Sequence, residues 1–186
     1  MEARADFFTF PTSIKNNMSI SLQAISIAEL NIFATSGTPE GVASRAAQGA
    51  LPPPHVAIRS LSQMAEGKSA FWCSTFYMVR NTDGLIVGSC GFKDAPLNGR
   101  IEIGYGVSPD CRKQGSATAA VSALLTLAFA TGEVHEVLAQ VNPANDASIG
   151  VVRKLNFVNN GLARDNHDEP LVQWLARKPS WSRSNV

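Results

Sequence analysis

Short runs in which apolar and polar residues alternate are separated along this chain by segments with helical periodicity. The first such run, SISLQAIS, predicts a half-buried strand over Ser19–Ser26. Ser26 and Glu29 then form the sequence of a capping box, which predicts that a helix begins there. Thr38-Pro39-Glu40 is a second helix-start signal, before GVASRAAQ, and HVAIRSLSQMAEG predicts another helix. A helical stretch over residues 26–67 therefore separates the first strand from the others.

The middle of the chain predicts three antiparallel strands. Two segments rich in aromatic and β-branched residues, AFWCSTFYMVR and LIVGSCGF, flank the turn sequence Asn81-Thr82-Asp83-Gly84. Asp-Gly between apolar runs is a strong hairpin signal. A further turn at Asn98-Gly99 leads into RIEIGYGVS. These segments are typical of a β-meander.

Helices and strands alternate in the last third of the chain. An alanine-rich segment predicts a helix from about Ser116 to Ala130, followed by the strand EVLAQVN, the helix NDASIGVVRKL and a hairpin of NFVNNGLA and PLVQWLA. The whole order favours a mixed α/β (α+β) fold of six or seven mostly antiparallel strands, with helices on both faces. We expect one domain over residues 19–178, preceded by an extension (1–18) and followed by a disordered tail (179–186).

Composition narrows the class of protein. The chain has 186 residues, 45% hydrophobic and 17% charged, with a net charge of +1. This charge argues against a nucleic-acid partner, and no apolar run approaches the length of a membrane span. The amino terminus lacks the pattern of a secretory signal, and Cys73, Cys90 and Cys111 lack metal or disulfide spacing, so we expect a cytoplasmic protein without a metal. The three histidines also lack metal or triad spacing, which predicts surface or loop roles for His55, His135 and His167.

The start of the long helix carries the main chemical signal. Arg112 and Lys113 precede Gly115, Ser116 and Ala117, although a helix dipole favours acids at that end. Two cations beside unsatisfied backbone N–H groups indicate that an anion binds there. The small residues allow a ligand to approach the backbone closely. A P-loop is disfavoured, because no Gly-Lys-Ser/Thr follows.

Here the sequence resembles the GNAT N-acetyltransferases. Arg112-Lys113-Gln114-Gly115-Ser116-Ala117 is similar to their acyl-CoA signature, (Arg/Gln)-x-x-Gly-x-(Gly/Ala). The stretches EIGYGVSPDCRKQGSATAAV and VNPANDASIGVVRKLNF resemble the RimJ/RimL branch of ribosomal-protein N-terminal acetyltransferases. The resemblance extends over residues 19–178 in the same order. It implies a sheet whose fourth and fifth strands splay apart to hold pantetheine, with pyrophosphate on the following helix.

The resemblance also assigns site residues. The backbone of Tyr105, Gly106 and Val107 is expected to pair with pantetheine. The N–H groups of Gln114, Gly115, Ser116, Ala117 and Thr118 are expected to hold pyrophosphate, with Arg112 and Lys113 adding charge. Asn145 matches the family asparagine that contacts the pantetheine arm, and Ser148 matches a serine near the thioester.

Two positions depart from the family pattern. Asn156 replaces the glycine of the Lys-Leu-Gly-Phe stretch, and asparagine also tolerates a left-handed backbone. Val152 stands where some members carry a general-acid tyrosine, so the thiolate would take its proton from Ser148 or water.

The chemistry leaves alternatives open. Glu102 is the first choice for general base, against a purely structural ion pair. Ser148 serves equally well as a packing residue, and Asn145 also fits a helix N-cap. We expect an acetyl-CoA-dependent N-acetyltransferase that acts by direct attack in a ternary complex; the alternative is a non-catalytic acyl-CoA-binding or regulatory module.

The acceptor amine stays open among peptide N-termini, amino acids, polyamines and aminoglycosides. Its site is expected between the helical segment 28–67 and the last hairpin around 160–170. A homodimer is also open.

Overall fold

Seven strands form one sheet in the computed structural model, which describes residues 20–178. The predicted extension and tail lie outside the described residues. In chain order the strands are β1 Ile20–Ala24, β2 Thr75–Arg80, β3 Ile86–Phe92, β4 Arg100–Val107, β5 Glu136–Val141, β6 Val158–Arg164 and β7 Pro170–Arg177. The helices are α1 Ile27–Ala34, α2 Pro54–Ala65, α3 Ser116–Ala130 and α4 Asp146–Lys154. The sheet order β1-β2-β3-β4-β5-β7-β6 confirms the predicted mixed fold.

The predicted meander of β2, β3 and β4 is also confirmed. The first turn closes with a hydrogen bond from the Arg80 amide to the Leu85 carbonyl oxygen, 2.8 Å long. The second turn places Asn98 and Gly99 in the left-handed region, at φ 51° and 73°. That pair of conformations suits the tight hairpin that Asn-Gly sequences form.

Two apolar clusters cover the two faces of the sheet. Along α3, Val121, Leu124 and Leu125 are fully buried in the larger cluster, against β1–β5. The smaller cluster joins α1 and α2 to the opposite face around Tyr77 and Ile86. Helices therefore cover both faces, as the alternation of elements predicted.

The prediction of a helix after Pro39 is wrong. Only a short 3₁₀ turn, Ala43–Arg45, forms there. Gly41 adopts φ +74°, which ends any helix begun at Pro39, and the Ala47 amide donates to the Ile86 carbonyl oxygen at 2.9 Å. Backbone groups of this segment thus bond to the start of β3 instead of to a helical turn.

The predicted splay between β4 and β5 is confirmed. The two strands pair in parallel only where Arg100–Ile103 face Glu136–Ala139. Residues 104–107 continue β4 along β3 but pair with no strand of the described residues on the β5 side, whereas β5 follows β7 through Val141. A backbone edge of four residues is therefore left open within the sheet.

The capping box at α1 gives a stability prediction. The Glu29 amide donates to Ser26 Oγ at 3.2 Å, and the Ser26 amide donates to Glu29 Oε2 at 2.8 Å. We expect Ser26→Ala to lower the free energy of unfolding by about 1 kcal/mol, because an N-cap acceptor is lost. Urea unfolding measures this. Ser44→Ala, which removes an exposed non-capping hydroxyl, is the control, and an equal loss in both variants would contradict the prediction.

Candidate functional site

A cavity of about 1080 Å³ opens where β4 and β5 separate. We call it the large cavity. The end of β4, the loop before α3, the first turn of α3 and one face of α4 line it. Ten of the eleven predicted cofactor-binding residues are among its lining: Tyr105, Gly106, Val107, Arg112, Lys113, Gly115, Ser116, Ala117, Thr118 and Asn145. Ser148 lines it as well.

The amino terminus of α3 presents free amides to this cavity. Gly115 is the N-cap, at φ 81°, and no side chain caps the helix. The first helical hydrogen bond runs from the Ala119 amide to the Gly115 carbonyl oxygen, at 2.9 Å. The amides of Ser116, Ala117 and Thr118 have no hydrogen-bond acceptor within residues 20–178. Three donors and the positive end of the helix dipole are therefore available to an anion.

The charges on the wall favour an anion too. Arg112, Lys113 and Lys154 line the large cavity, against the one acidic residue Asp146. Gln114 is the predicted residue that does not line it. Its side-chain oxygen accepts a hydrogen bond from Arg80 Nη1 at 3.3 Å, which turns the amide group toward the β2–β3 turn.

Helix α4 is tied to β4 across the split. Asn145 caps α4, because its Oδ1 accepts from the Ser148 amide at 3.0 Å, and it lines the large cavity as well. The Tyr105 hydroxyl donates to the Ser148 carbonyl oxygen at 3.3 Å. Burial raises the pKa of the Tyr105 phenol, so the group remains a donor at neutral pH.

A second cavity of about 400 Å³ lies on the opposite face of the sheet, against the segment 49–59. We call it the small cavity. Gly104 and Gly106 form part of its floor, and Tyr105 and Gly106 line both cavities. A Cβ atom at Gly106 would meet no atom within 4 Å. At Gly106 the β4 backbone alone, without a side chain, therefore separates the two cavities.

The lining of the small cavity includes one of the two segments expected at the acceptor site, whose location stays a prediction. The predicted helical segment contributes residues of the loop before α2 and of α2 itself, including His55. The last hairpin contributes none among the described residues; β2, β3 and β4 form the rest. The hairpin instead pairs with β5 at the far side of the split, since β7 and β6 follow β5 in the sheet order.

Glu102 lies on β4, in the part of the strand that pairs with β5. Its Oε1 lies 2.5 Å from Lys93 Nζ, and its Oε2 accepts from Gln140 Nε2 at 3.1 Å. Lys93 lines the small cavity, whereas Glu102 lines neither cavity. Because side chains alternate along a strand, Glu102 shares the face of β4 that carries Gly104 and Gly106. Its role as base stays a prediction, with the structural ion pair, here to Lys93, beside it.

The two departures from the family pattern have clear structural outcomes. Asn156 adopts φ 57°, so the turn after α4 keeps the left-handed backbone that was expected of it. Val152 is fully buried in the larger apolar cluster. A valine side chain has no proton to donate, so the thiolate does not take its proton from this residue.

Sequence reasoning missed part of the large cavity. Ala147, Gly150, Val151 and Lys154 lie on one face of α4, at a helical spacing of three and four residues, and all line the cavity. Asn142 and Ala144, just before α4, also line it. The spacing is visible in the sequence, and it would have extended the predicted site from Asn145 and Ser148 along the helix.

Three further features concern metal sites, cysteines and membrane spans. Within residues 20–178 no three His, Cys, Asp or Glu side chains come together as a metal site. Cys73, Cys90 and Cys111 are free and buried, as expected of packing residues. None of the helices in this part of the chain is long and apolar enough to cross a bilayer.

Comparison with known proteins agrees with this geometry. Residues 25–158 match the family model described as an acetyltransferase (GNAT) domain. The chain belongs to the GNAT family. The match spans the split strands, the α3 terminus and α4, which are the parts that form the large cavity.

Two curated relatives are similar over part of the chain. An uncharacterized N-acetyltransferase p20 of Bacillus licheniformis is 36% identical over 89 residues, which is 47% of this chain and 49% of the relative. A putative ribosomal N-acetyltransferase, YdaF, of Bacillus subtilis strain 168 is 30% identical over 107 residues, 53% of this chain and 57% of the relative. The chain thus spans about half the length of the curated relatives it matches. The second relative supports the predicted RimJ/RimL-like branch.

Solved structures share the fold. The aminoglycoside acetyltransferase AAC(6')-Ib in complex with coenzyme A superposes with a TM-score of 0.65 at 17% identity. The superposition covers 90% of this chain and all of that one (100%). At this identity the likeness shows the fold.

Proposed function

We propose that this chain is an acetyl-CoA-dependent N-acetyltransferase that moves an acetyl group to a primary amine. One observation carries the proposal. The large cavity contains two sets of backbone groups that lack hydrogen-bond partners among the described residues, the open edge of β4 and the free amides of α3. An extended amide-containing chain bonds to the first as an added strand, and a diphosphate binds to the second. Acetyl-CoA carries both groups in one molecule.

The residues fit this co-substrate. The amides of Ser116, Ala117 and Thr118 would hold the pyrophosphate, while Arg112 and Lys113 would neutralise phosphate charge. The edge at residues 105–107 would pair with pantetheine, with Asn145 facing it from α4. The floor at Gly106 would then bring the thioester to the border of the small cavity, which would hold the amine.

The chemical step follows from these positions. Glu102, through water, takes a proton from the ammonium group of the acceptor. The neutral amine attacks the thioester carbonyl while a backbone N–H near Val107 stabilises the oxyanion. The C–N bond forms, the C–S bond breaks, and the second amine proton passes to the thiolate through Ser148 or water. No covalent enzyme intermediate is needed.

Release of free thiol from acetyl-CoA tests the proposal. We expect thiol release above the rate of acetyl-CoA hydrolysis with at least one amine among peptide N-termini, amino acids, polyamines and aminoglycosides. Mass spectrometry should show an added acetyl group on that amine. Binding of CoA by calorimetry without turnover of any amine would favour the non-catalytic acyl-CoA-binding module instead.

We also infer a cytoplasmic location, which the free, buried cysteines support. The homodimer stays a prediction, which light scattering coupled to size-exclusion chromatography checks.

A further inference from the structure

Helix α2 places a cation in the small cavity that nothing in the proposed reaction uses. Arg59 is half-buried and lines the cavity, one helical turn after His55. Its Nε is buried and without a hydrogen-bond partner. Within residues 20–178 no carboxylate lies within 4.0 Å of its guanidinium group. A half-buried arginine whose buried Nε lacks a hydrogen-bond acceptor is costly to the fold, so its presence needs a reason.

The nearest acids do not supply that partner. Glu102 and Asp94 are close enough to act on Arg59 electrostatically. Each of them is already paired, Glu102 with Lys93 at 2.5 Å and Asp94 with Lys68 at 2.7 Å. Burial nevertheless lowers the pKa of Arg59, because desolvation outweighs the attraction of these two carboxylates.

Arg59 gives the small cavity a positive charge without a paired carboxylate. Within residues 20–178 the lining contains Arg59, Lys93 and His55 but no aspartate or glutamate, and Lys93 is paired with Glu102. Its volume of about 400 Å³ suits a small molecule or the first residues of a peptide. It adjoins the large cavity through Tyr105 and Gly106, so a molecule held here lies next to the proposed thioester position.

We propose that Arg59 binds an oxyanion of the acceptor, so that the acceptor is a primary amine that also carries a carboxylate or a phosphate group. The inference rests on the proposed function, since it names the substrate class of the same site. The planar guanidinium pairs with either group through two parallel hydrogen bonds. The bound anion would supply the hydrogen-bond acceptor that Arg59 Nε lacks within residues 20–178.

This assignment discriminates among the open acceptors. Polyamines and aminoglycosides are polycations without an anionic group for Arg59, so the charge of Arg59 disfavours them. Amino acids, peptides whose first residues are acidic and phosphorylated amines carry the required pair of groups. The substrate class thus differs from that of the aminoglycoside acetyltransferase that shares the fold.

Matched amine pairs test the proposal. Glycine with glycinamide and glutamate with glutamine differ by one carboxylate, and phosphoethanolamine with ethanolamine differs by one phosphate. We expect kcat/KM for the better anionic member to exceed that of its neutral partner at least tenfold. If a carboxylate pair shows the larger ratio of kcat/KM values, Arg59 recognises a carboxylate. If the phosphoethanolamine pair does, Arg59 recognises a phosphate. Arg59→Gln should reduce the ratio to near one, chiefly by raising KM for the anionic amine, while Arg59→Lys retains part of it.

Binding readouts keep this test separate from the proposed function. Calorimetric titration of each amine into the CoA complex measures acceptor affinity without turnover, so it decides the matter even if the chain is not an enzyme. Arg45→Gln removes an exposed cation outside both cavities and is the matched control. Thermal unfolding of Arg59→Gln should be unchanged or raised, because no native partner is lost. Equal affinity for the two members of every pair, or an unchanged preference in Arg59→Gln, would overturn the proposal.

Discussion

Replacing Gly115 with valine should weaken CoA binding about 100-fold or more. Gly115 holds φ +81° at the start of α3, where a β-branched residue is strongly disfavoured. The loop would have to rearrange, and the amides of Ser116, Ala117 and Thr118 would no longer point into the large cavity together. Hydrogen bonds to a charged group contribute roughly 1.5–3 kcal/mol each, so losing two of them accounts for a change of this size. Isothermal titration with CoA measures it.

The other end of the same helix offers a matched control. Gly132 follows α3 at φ +78°, and a Cβ atom there would meet no atom within 4 Å, as at Gly115. Gly132→Val therefore carries the same backbone penalty without touching either cavity. We expect it to lower the melting temperature about as much as Gly115→Val and to leave CoA affinity unchanged. If Gly115→Val keeps the affinity of the unmodified chain, the pyrophosphate does not bind at α3.

The sequence predicts an element of this fold correctly when the interactions that determine the element are local. The bounds of α3, Ser116–Ala130, were predicted correctly because Gly115 and the alanine-rich run both act within a few residues. The meander followed from Asp-Gly and Asn-Gly turns for the same reason. The residues after Pro39 do carry a local helix-start signal. The helix does not form there, because the backbone of Ala47 instead bonds to Ile86, 39 positions further along the chain. No local pattern contains that information.

The site shows the same division. The large cavity was largely predictable, since most of its residues belong to two contiguous motifs. The small cavity was not, because the loop before α2, α2 itself and three strands contribute to it. In the sequence Arg59 is one cation on an amphipathic helix, a pattern typical of a solvated face. Only the packing of α2 on the sheet reveals that Arg59 lines a cavity and that its buried Nε has no hydrogen-bond partner within residues 20–178.

The two cavities together explain why glycine recurs along β4. Gly104 and Gly106 lie on the face toward the small cavity, and neither backbone angle requires glycine. A side chain at Gly106 would occupy open space on the border of both cavities. A strand interior normally disfavours glycine, so its presence here fits a close approach of two ligands to the backbone. This agrees with direct transfer between a thioester on one side and an amine on the other.

Glu102→Gln should lower kcat about 100-fold while leaving CoA affinity within twofold of its original value. A positioned general base contributes roughly 10²–10⁴ in rate, and the amide cannot accept the ammonium proton. The residue lines neither cavity, so binding is not expected to change. The pH–rate profile of the variant should differ from that of the unmodified chain, because the group that takes the ammonium proton has changed. Steady-state rates between pH 5 and about 9 measure both effects.

A second carboxylate provides a control that distinguishes a catalytic role of Glu102 from a purely structural one. Glu136 on the neighbouring strand also holds two partners, Arg100 at 2.7 Å and Arg177 at 2.7 Å, and it lines neither cavity. Glu136→Gln thus removes a comparable ion-pair network from the same sheet, and we expect it to lower stability while preserving kcat and the pH–rate profile. The bonds of Glu102 to Lys93 and Gln140 fix its carboxylate on the face of β4 that also carries Gly104 and Gly106, which line the small cavity. If both variants retain full turnover and the same pH–rate profile, Glu102 is a structural ion pair and water alone takes the proton.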